Sequence, residues 1–243
     1  DGNTAMGYNA AGATSTGAYN TAQGFSALAS NSSGGYNTAL GASALNSNTT
    51  GSNNIAVGYQ ALYSNTTATV NVAIGFAAGK LNTTGNSNVI VGDEAGFANT
   101  TSNSNVYVGR QAGYYTTGGE NTFVGNSSGV SMTTGSKNTI LGRYSGNQGG
   151  LDIRTSSNNI VLSDGAGNPR LYIDSAGDCK IGGGNTSQGY QAVGLTAFAN
   201  GETTLVRDGS TPVTVTRKGN AGHAIDFYNT TNFSGYINVD GTT

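Results

Sequence analysis

An asparagine recurs at positions 3, 20, 37, 54, 71, 88, 105, 121 and 138, every step being 17 residues except one of 16. Four places after each stands a glycine: Gly7, Gly24, Gly41, Gly58, Gly75, Gly92, Gly109, Gly125 and Gly142. A glycine held at one phase of a repeat marks a recurrent backbone need, either positive φ or close approach by another backbone. The stretch Asn71-Val72-Ala73-Ile74-Gly75-Phe76-Ala77-Ala78-Gly79 carries the pattern in full: asparagine, a short apolar run, glycine, then a turn of small residues.

Between asparagine and glycine the middle and later repeats read Ile-Ala-Val, Val-Ala-Ile, Val-Ile-Val, Val-Tyr-Val and Thr-Phe-Val. Short β-branched runs bounded by turn residues are strands. The second half of each unit is rich in Asn, Ser, Thr and Gly, as in Leu81-Asn82-Thr83-Thr84-Gly85, and such residues make turns by bonding their side chains to backbone. A helix would carry about 1 kcal/mol per glycine with no 3.6-residue apolar stripe to offset it. Disorder needs no apolar residues at fixed phase. The pattern therefore predicts an all-β, parallel β-solenoid or β-roll-like shaft of nine 17-residue coils, which at a spacing of about 4.8 Å is about 43 Å long.

Two places after the asparagine, the first five repeats have Ala5, Ala22, Ala39, Ala56 and Ala73, whereas the last four have Ile90, Tyr107, Phe123 and Ile140. Eight places after it, repeats two to four have Leu28, Leu45 and Leu62, and repeats five to nine have Gly79, Gly96, Gly113, Gly129 and Gly146. Close-packed interiors conserve summed volume, so the exchange places both positions in one shared core layer. The fifth repeat is small at both, and Leu81 is expected to fill its gap. The place after the glycine holds Tyr8, Phe25, Tyr59 and Phe76, then Asp93, Arg110, Asn126 and Arg143, and a position that takes charge faces outward.

Beyond the repeats, Asn159–Leu162, Arg170–Ile173 and Cys179–Ile181 alternate with the turns Asp164–Pro169 and Asp174–Asp178, which predicts a short β-meander. Gly182-Gly183-Gly184-Asn185 reads as a flexible joint. Strands are expected near 191–198, 203–206, 212–217, 223–228 and 235–239. The organisation is thus a repeat shaft over 1–154, a meander and neck over 155–184, and a small all-β module over 185–243.

A net charge of −2 with only 10 Lys and Arg supplies no basic stripe, so the charge pattern gives no support for nucleic-acid binding. No run approaches the roughly 18 to 20 apolar residues of a membrane span, and no signal-peptide pattern opens the chain, so no membrane insertion is expected. The start at Asp1, inside a repeat and without an initiator Met, suggests a processed segment. Cys179 is the sole cysteine, which excludes an intrachain disulfide and a cysteine-clustered zinc site.

No catalytic residue, cofactor site or metal site is expected, and the chain is not read as an enzyme. Ser/His/Asp chemistry needs a histidine, and the only one, His223, sits in a strand-like run. In a trimer three copies could meet on an axis and hold a metal or anion, but the strand reading is preferred. Asp93, Glu94, Asp174, Asp178, Glu202, Asp208 and Asp226 could pair for glycan hydrolysis, yet most sit in turns, where aspartate caps amides. The Asn-x-Thr sequons at Asn48, Asn65, Asn82 and Asn99 recur with the repeat, so turn chemistry explains them. Tyr190, Phe198, His223, Tyr228, Phe233 and Tyr236 are the candidate receptor contacts, because aromatic faces flanked by amides and carboxylates suit sugars.

Units such as Asn20–Leu28 and Asn37–Leu45 resemble repeats of bacteriophage tail fibres, and Asn-Ile-Ala-Val-Gly at 54–58 and Asn-Val-Ala-Ile-Gly at 71–75 resemble the head repeats of trimeric autotransporter adhesins. Those heads are left-handed parallel β-rolls with a repeat shorter than 17 residues. The stretch from Asn159 to Gly182, with Thr211–Arg217 and Asp226-Phe227-Tyr228-Asn229, is similar to the segment that leads into the self-cleaving C-terminal chaperone of many tail fibres. The resemblance implies a homotrimeric tail fibre of the virion, extracellular, joined to other tail or baseplate proteins and adhering to a host surface glycan or outer-membrane receptor. It also implies cleavage near Gly241-Thr242-Thr243. A bacterial trimeric surface adhesin and a capsule depolymerase are the alternatives.

Overall fold

The structure is a computed structural model that describes residues 2–181 with their side chains and, as backbone, 194–197, 203–206, 222–229 and 232–239. No helix occurs among the described residues. Nine three-residue strands fall where the repeat places them: β1 Thr4–Met6, β2 Thr21–Gln23, β3 Thr38–Leu40, β4 Ile55–Val57, β5 Val72–Ile74, β6 Val89–Val91, β7 Val106–Val108, β8 Thr122–Val124 and β9 Thr139–Leu141. Each pairs in parallel with the next at the repeat offset, for example Ala73↔Ile90 and Tyr107↔Phe123. The fold is a β-solenoid with one strand per 17-residue coil.

The recurring glycine meets both of the needs that a fixed phase implies. Gly7, Gly24 and Gly41 have φ of 133°, 135° and 133°, and a Cβ built on Gly41 would lie 2.6 Å from the Gly58 carbonyl oxygen. Left-handed backbone also recurs six places after the leading asparagine, eight places after it, and just before the next one, where Tyr19, Tyr36 and Val70 hold φ of 59°, 59° and 60°. Each coil thus turns its corners at residues that must adopt a conformation L side chains disfavour.

Large and small residues exchange across one core layer, as the pattern requires. Ala22, Leu28, Ala39, Leu45, Ala56 and Leu62 fill the early coils, and Ile90, Tyr107, Phe123 and Ile140 fill the later ones. A Cβ on Gly96 would sit 2.8 Å from the Tyr107 ring, and one on Gly113 would sit 2.7 Å from it. Leu81 does not fill the fifth coil: it is 36% exposed. The space beside Gly79 is taken from both sides, by Ile90 Cδ1 at 2.9 Å and Leu62 Cδ2 at 3.1 Å from a Cβ built there. Side chains of neighbouring coils close the gap, so the fifth coil needs no filler of its own.

The leading asparagines form a buried ladder. Each Oδ1 accepts the backbone N–H of the next asparagine, at 2.8 Å for Asn20 to Asn3 and 3.0 Å for Asn54 to Asn37. Seven of the amides also donate to a carbonyl 14 residues on, as from Asn71 to Gly85 at 2.9 Å. A second buried ladder runs through Asn31, Asn48, Asn65 and Asn82, with Asn48 Nδ2 donating to Asn31 Oδ1 at 2.9 Å and Asn82 Nδ2 to the same Gly85 oxygen at 2.9 Å. A buried polar group costs little only when it is bonded, and here the amides bond one another, with Asn82 Oδ1 at the end of the second ladder the one side-chain oxygen of these asparagines left without a partner.

The stack runs one strand further than nine regular repeats. After a 21-residue step, β10 (Ile160–Ser163) pairs in parallel with β9 and antiparallel with β11 (Pro169–Ile173), so it ends the solenoid and begins the meander. β12 (Cys179–Ile181), β13 (Gly194–Ala197) and β14 (Thr203–Val206) continue the same sheet antiparallel. β15 (Gly222–Asn229) and β16 (Asn232–Val239) form a separate hairpin. The terminal strands expected near 191–198, 203–206, 223–228 and 235–239 thus have counterparts, whereas the joint at Gly182–Gly184 and the strand at 212–217 lie outside the described residues.

The end of the core nearest β10 is closed by Met132, Tyr144, Leu151, Ile153, Val161 and Tyr172. The Tyr144 hydroxyl donates to the Leu151 carbonyl at 2.8 Å. Tyr172 Oη bonds Asn159 Oδ1 at 2.9 Å, supplying the last ladder amide with the donor that a following coil would provide.

Candidate functional site

The solenoid's outward side chains run in rows, because every coil repeats the same corners. One row follows the glycine corner, where Tyr8 stacks on Phe25 and Tyr59 on Phe76, each pair with ring centroids 5.5 Å apart. Ala42 interrupts it between the pairs, and further on it becomes charged, with Arg110 Nε 3.2 Å from Asp93. A second row precedes the leading asparagine: Tyr19 and Tyr36, each 61% exposed, stack at 5.1 Å, and Lys137 reaches Glu120 at 3.9 Å. The outward reading of the position after the glycine therefore holds.

A third row was not singled out in the sequence. Nine places after Asn88 and Asn105 stand Phe97 and Tyr114, whose rings lie parallel within 2° at 4.9 Å. Tyr115 crosses Tyr114 at 72° with centroids 4.6 Å apart, and is itself 58% exposed. Lys80 Nζ sits 5.7 Å from the centre of the Phe97 ring. Gln111 Nε2 donates to Glu94 Oε2 at 2.9 Å. Desolvation first, then the charge of Glu94, push the Tyr114 phenol above its ordinary value. The signal available in the sequence was two aromatics at one phase of consecutive repeats.

Of the six residues expected to touch a receptor, Tyr190 and Phe198 lie outside the described residues. The other four fall on the β15–β16 hairpin. Its register sets Tyr228 opposite Phe233, His223 opposite Asn238 and Tyr236 opposite Asp226. The backbone therefore brings together one of the candidate pairs, and places His223 against an asparagine.

The described carboxylates are engaged in turns and ion pairs. Asp164 Oδ1 accepts the N–H groups of Ala166 and Asn168 at 3.0 and 2.9 Å, while Oδ2 meets Arg170. The backbone donor of Asn168 first, then Arg170, hold its carboxyl well below the usual range. Ten residues on, Asp174 repeats the turn with Ala176, Asp178 and Lys180. Burial pushes Asp174 up, but these donors together outweigh it and leave it low. Asp152 bonds Arg154 at 2.7 Å beside a shallow hollow lined by Thr133 and Thr155. Glu202 and Asp208 lie outside the described residues. Among those described, no three His, Cys, Asp or Glu side chains gather as a metal site would require.

The sequon asparagines Asn48, Asn65, Asn82 and Asn99 are fully buried, so their amides serve the interior. Cys179 is a free, half-buried residue of β12. The chain matches no protein-family model, no curated protein and no solved structure.

Proposed function

We propose that this chain is the shaft and distal segment of a homotrimeric bacteriophage tail fibre, which holds a virion against a bacterial surface through repeated weak contacts. The observation that supports the reading is the outer face of the parallel sheet. The first and third residues of β1 to β10 point away from the core, giving twenty outward positions, of which fourteen are Val, Ile, Leu or Met, five Thr and one Gln. None is charged, and Leu40, Ile55, Ile74, Leu141 and Ile160 are each 41 to 42% exposed.

Parallel sheets normally have both faces covered, and a contiguous exposed apolar strip marks an interaction surface. An uncharged strip of constant pitch matches another copy of itself along its whole length, which favours side-by-side assembly of identical chains. Three linked copies then raise avidity through effective concentration, with no covalent step. In this setting other tail or baseplate proteins hold one end, the fibre is extracellular, and a host glycan or outer-membrane receptor lies at the other.

Sedimentation velocity combined with pelleting on a panel of bacterial cells tests the reading. The expected result is a species of about three times 24.3 kDa that co-pellets with some of the strains. A monomer that stays in the supernatant with every strain would sink it.

A further inference from the structure

We propose that the corner formed by Phe97, Tyr114 and Tyr115 is a carbohydrate-contact site on the side of the shaft, taking one neutral pyranose unit of a surface polysaccharide. It is distinct from the terminal module and rests on the adhesive reading only for its biological setting.

The repeat itself does not call for Tyr115. Ten places after the leading asparagine the 17-residue coils carry Ala13, Ser30, Ser47, Ser64, Leu81, Ala98 and Ser131, whereas the 16-residue coil that starts at Asn105 carries Tyr115. Six of those seven residues are Ala or Ser, and Tyr115 is 58% exposed and so lies outside the packed core of its coil. The Tyr8–Phe25, Tyr19–Tyr36 and Tyr59–Phe76 pairs have no second tyrosine crossing them, whereas Tyr115 stands across Tyr114 at 72°. The parallel Phe97–Tyr114 pair and the crossing, exposed Tyr115 ring meet as a corner, with stacking between coils holding the pair.

A pyranose has one face of C–H groups and a rim of hydroxyls. The C–H face packs on an exposed aromatic ring, and the rim takes hydrogen bonds from whatever polar groups border it. We assign this border to Glu94 and Gln111, which stand three residues before Phe97 and Tyr114 in the same two coils and are bonded to each other at 2.9 Å. Lys80 Nζ, 5.7 Å from the Phe97 ring, and Glu94 bring one charge of each sign to these coils, which suits an uncharged sugar. Stacked rings and paired polar groups reduce the ordering cost of binding.

A glycan array of bacterial O-antigens and capsular polysaccharides, followed by saturation-transfer NMR on the bound glycans, tests the proposal with the full chain. The expected result is capture of at least one neutral glycan, an affinity about tenfold weaker in Tyr115→Ala, and near wild-type affinity in Tyr115→Phe. Tyr115 is exposed, so the fold and sedimentation of both variants should match the wild type. The proposal is overturned if no neutral glycan binds, or if Tyr115→Ala leaves glycan affinity unchanged. It is also overturned if Tyr115→Ala alters the sedimenting species while sugar binding persists, because the corner is then a protein contact. Loss of cell pelleting with glycan capture intact would count against the adhesive reading alone. Cell pelleting unaffected by Tyr115→Ala, with no glycan captured, would count against this site alone.

Discussion

Asn88 donates twice to one atom: its backbone N–H and its side-chain Nδ2 reach Asn71 Oδ1 at 2.9 and 3.0 Å. That single oxygen satisfies two buried donors of the next coil, and Asn71 meanwhile holds the Gly85 carbonyl. Replacing Asn71 by alanine should therefore cost about 3 kcal/mol, because buried donors lose their acceptor outright. The shift in guanidinium midpoint measures it, and Asn126→Ala, outside both ladders, should change stability by less than about 0.5 kcal/mol.

The exchange of volume between Gly79 and Ile90 supports a stronger test. Gly79→Leu alone should destabilise by about 3 kcal/mol, since its side chain enters space held by Ile90. Adding Ile90→Ala recreates the Ala-plus-Leu pairing of the early coils and extends the stack above Leu62. A double-mutant cycle should recover most of the loss; purely additive penalties would contradict the shared-layer account.

The Tyr107 hydroxyl is buried, flanked by Thr116 and Asn121, and makes no hydrogen bond of normal geometry. Tyr107→Phe keeps the ring that fits against Gly96 and Gly113 and removes the unsatisfied group. Thermal unfolding should show equal or higher stability, by up to about 1 kcal/mol.

Acid should loosen the meander first. The folded carboxyl values of Asp164 and Asp174 are lowered, so their contribution is present above the unfolded value near 4 and is lost as pH falls below it. Amide exchange in β11 and β12 should rise below about pH 4 while β4 to β7 stay protected. Asp174→Asn should bring the loosening of its turn to neutral pH.

Charge on the outer sheet face should dissolve the proposed side-by-side assembly without unfolding the coil. Val91→Lys with Val108→Lys places two ammonium groups on adjacent strands of the strip. Sedimentation should shift to monomer while the circular dichroism of the solenoid is kept.

The core was legible because a single layer leaves its arithmetic in the sequence: Ala with Leu, or a bulky residue with Gly, at two fixed phases. Leu81 misled because a gap in one coil can be filled from the coils beside it, through Ile90 and Leu62, and a pattern read within one repeat misses that. The second asparagine ladder was hidden because Asn82-Thr83-Thr84-Gly85 has the composition of any polar turn. Its burial depends on the chain folding inward there. β10 escaped the repeat count because its coil is 21 residues long, and the parallel pairing shows only in three dimensions. The Phe97–Tyr114–Tyr115 corner was visible as a phase coincidence, but its crossed geometry was not.

Each coil touches only the ones above and below, through ladder amides and strand pairs, and this fixes how the shaft answers a pull on its two ends. Releasing one coil shortens the rod by about 4.8 Å and frees 17 residues, about 58 Å of extended chain. Strain applied along the chain is then absorbed one coil at a time, as a tether that lengthens in steps before it parts.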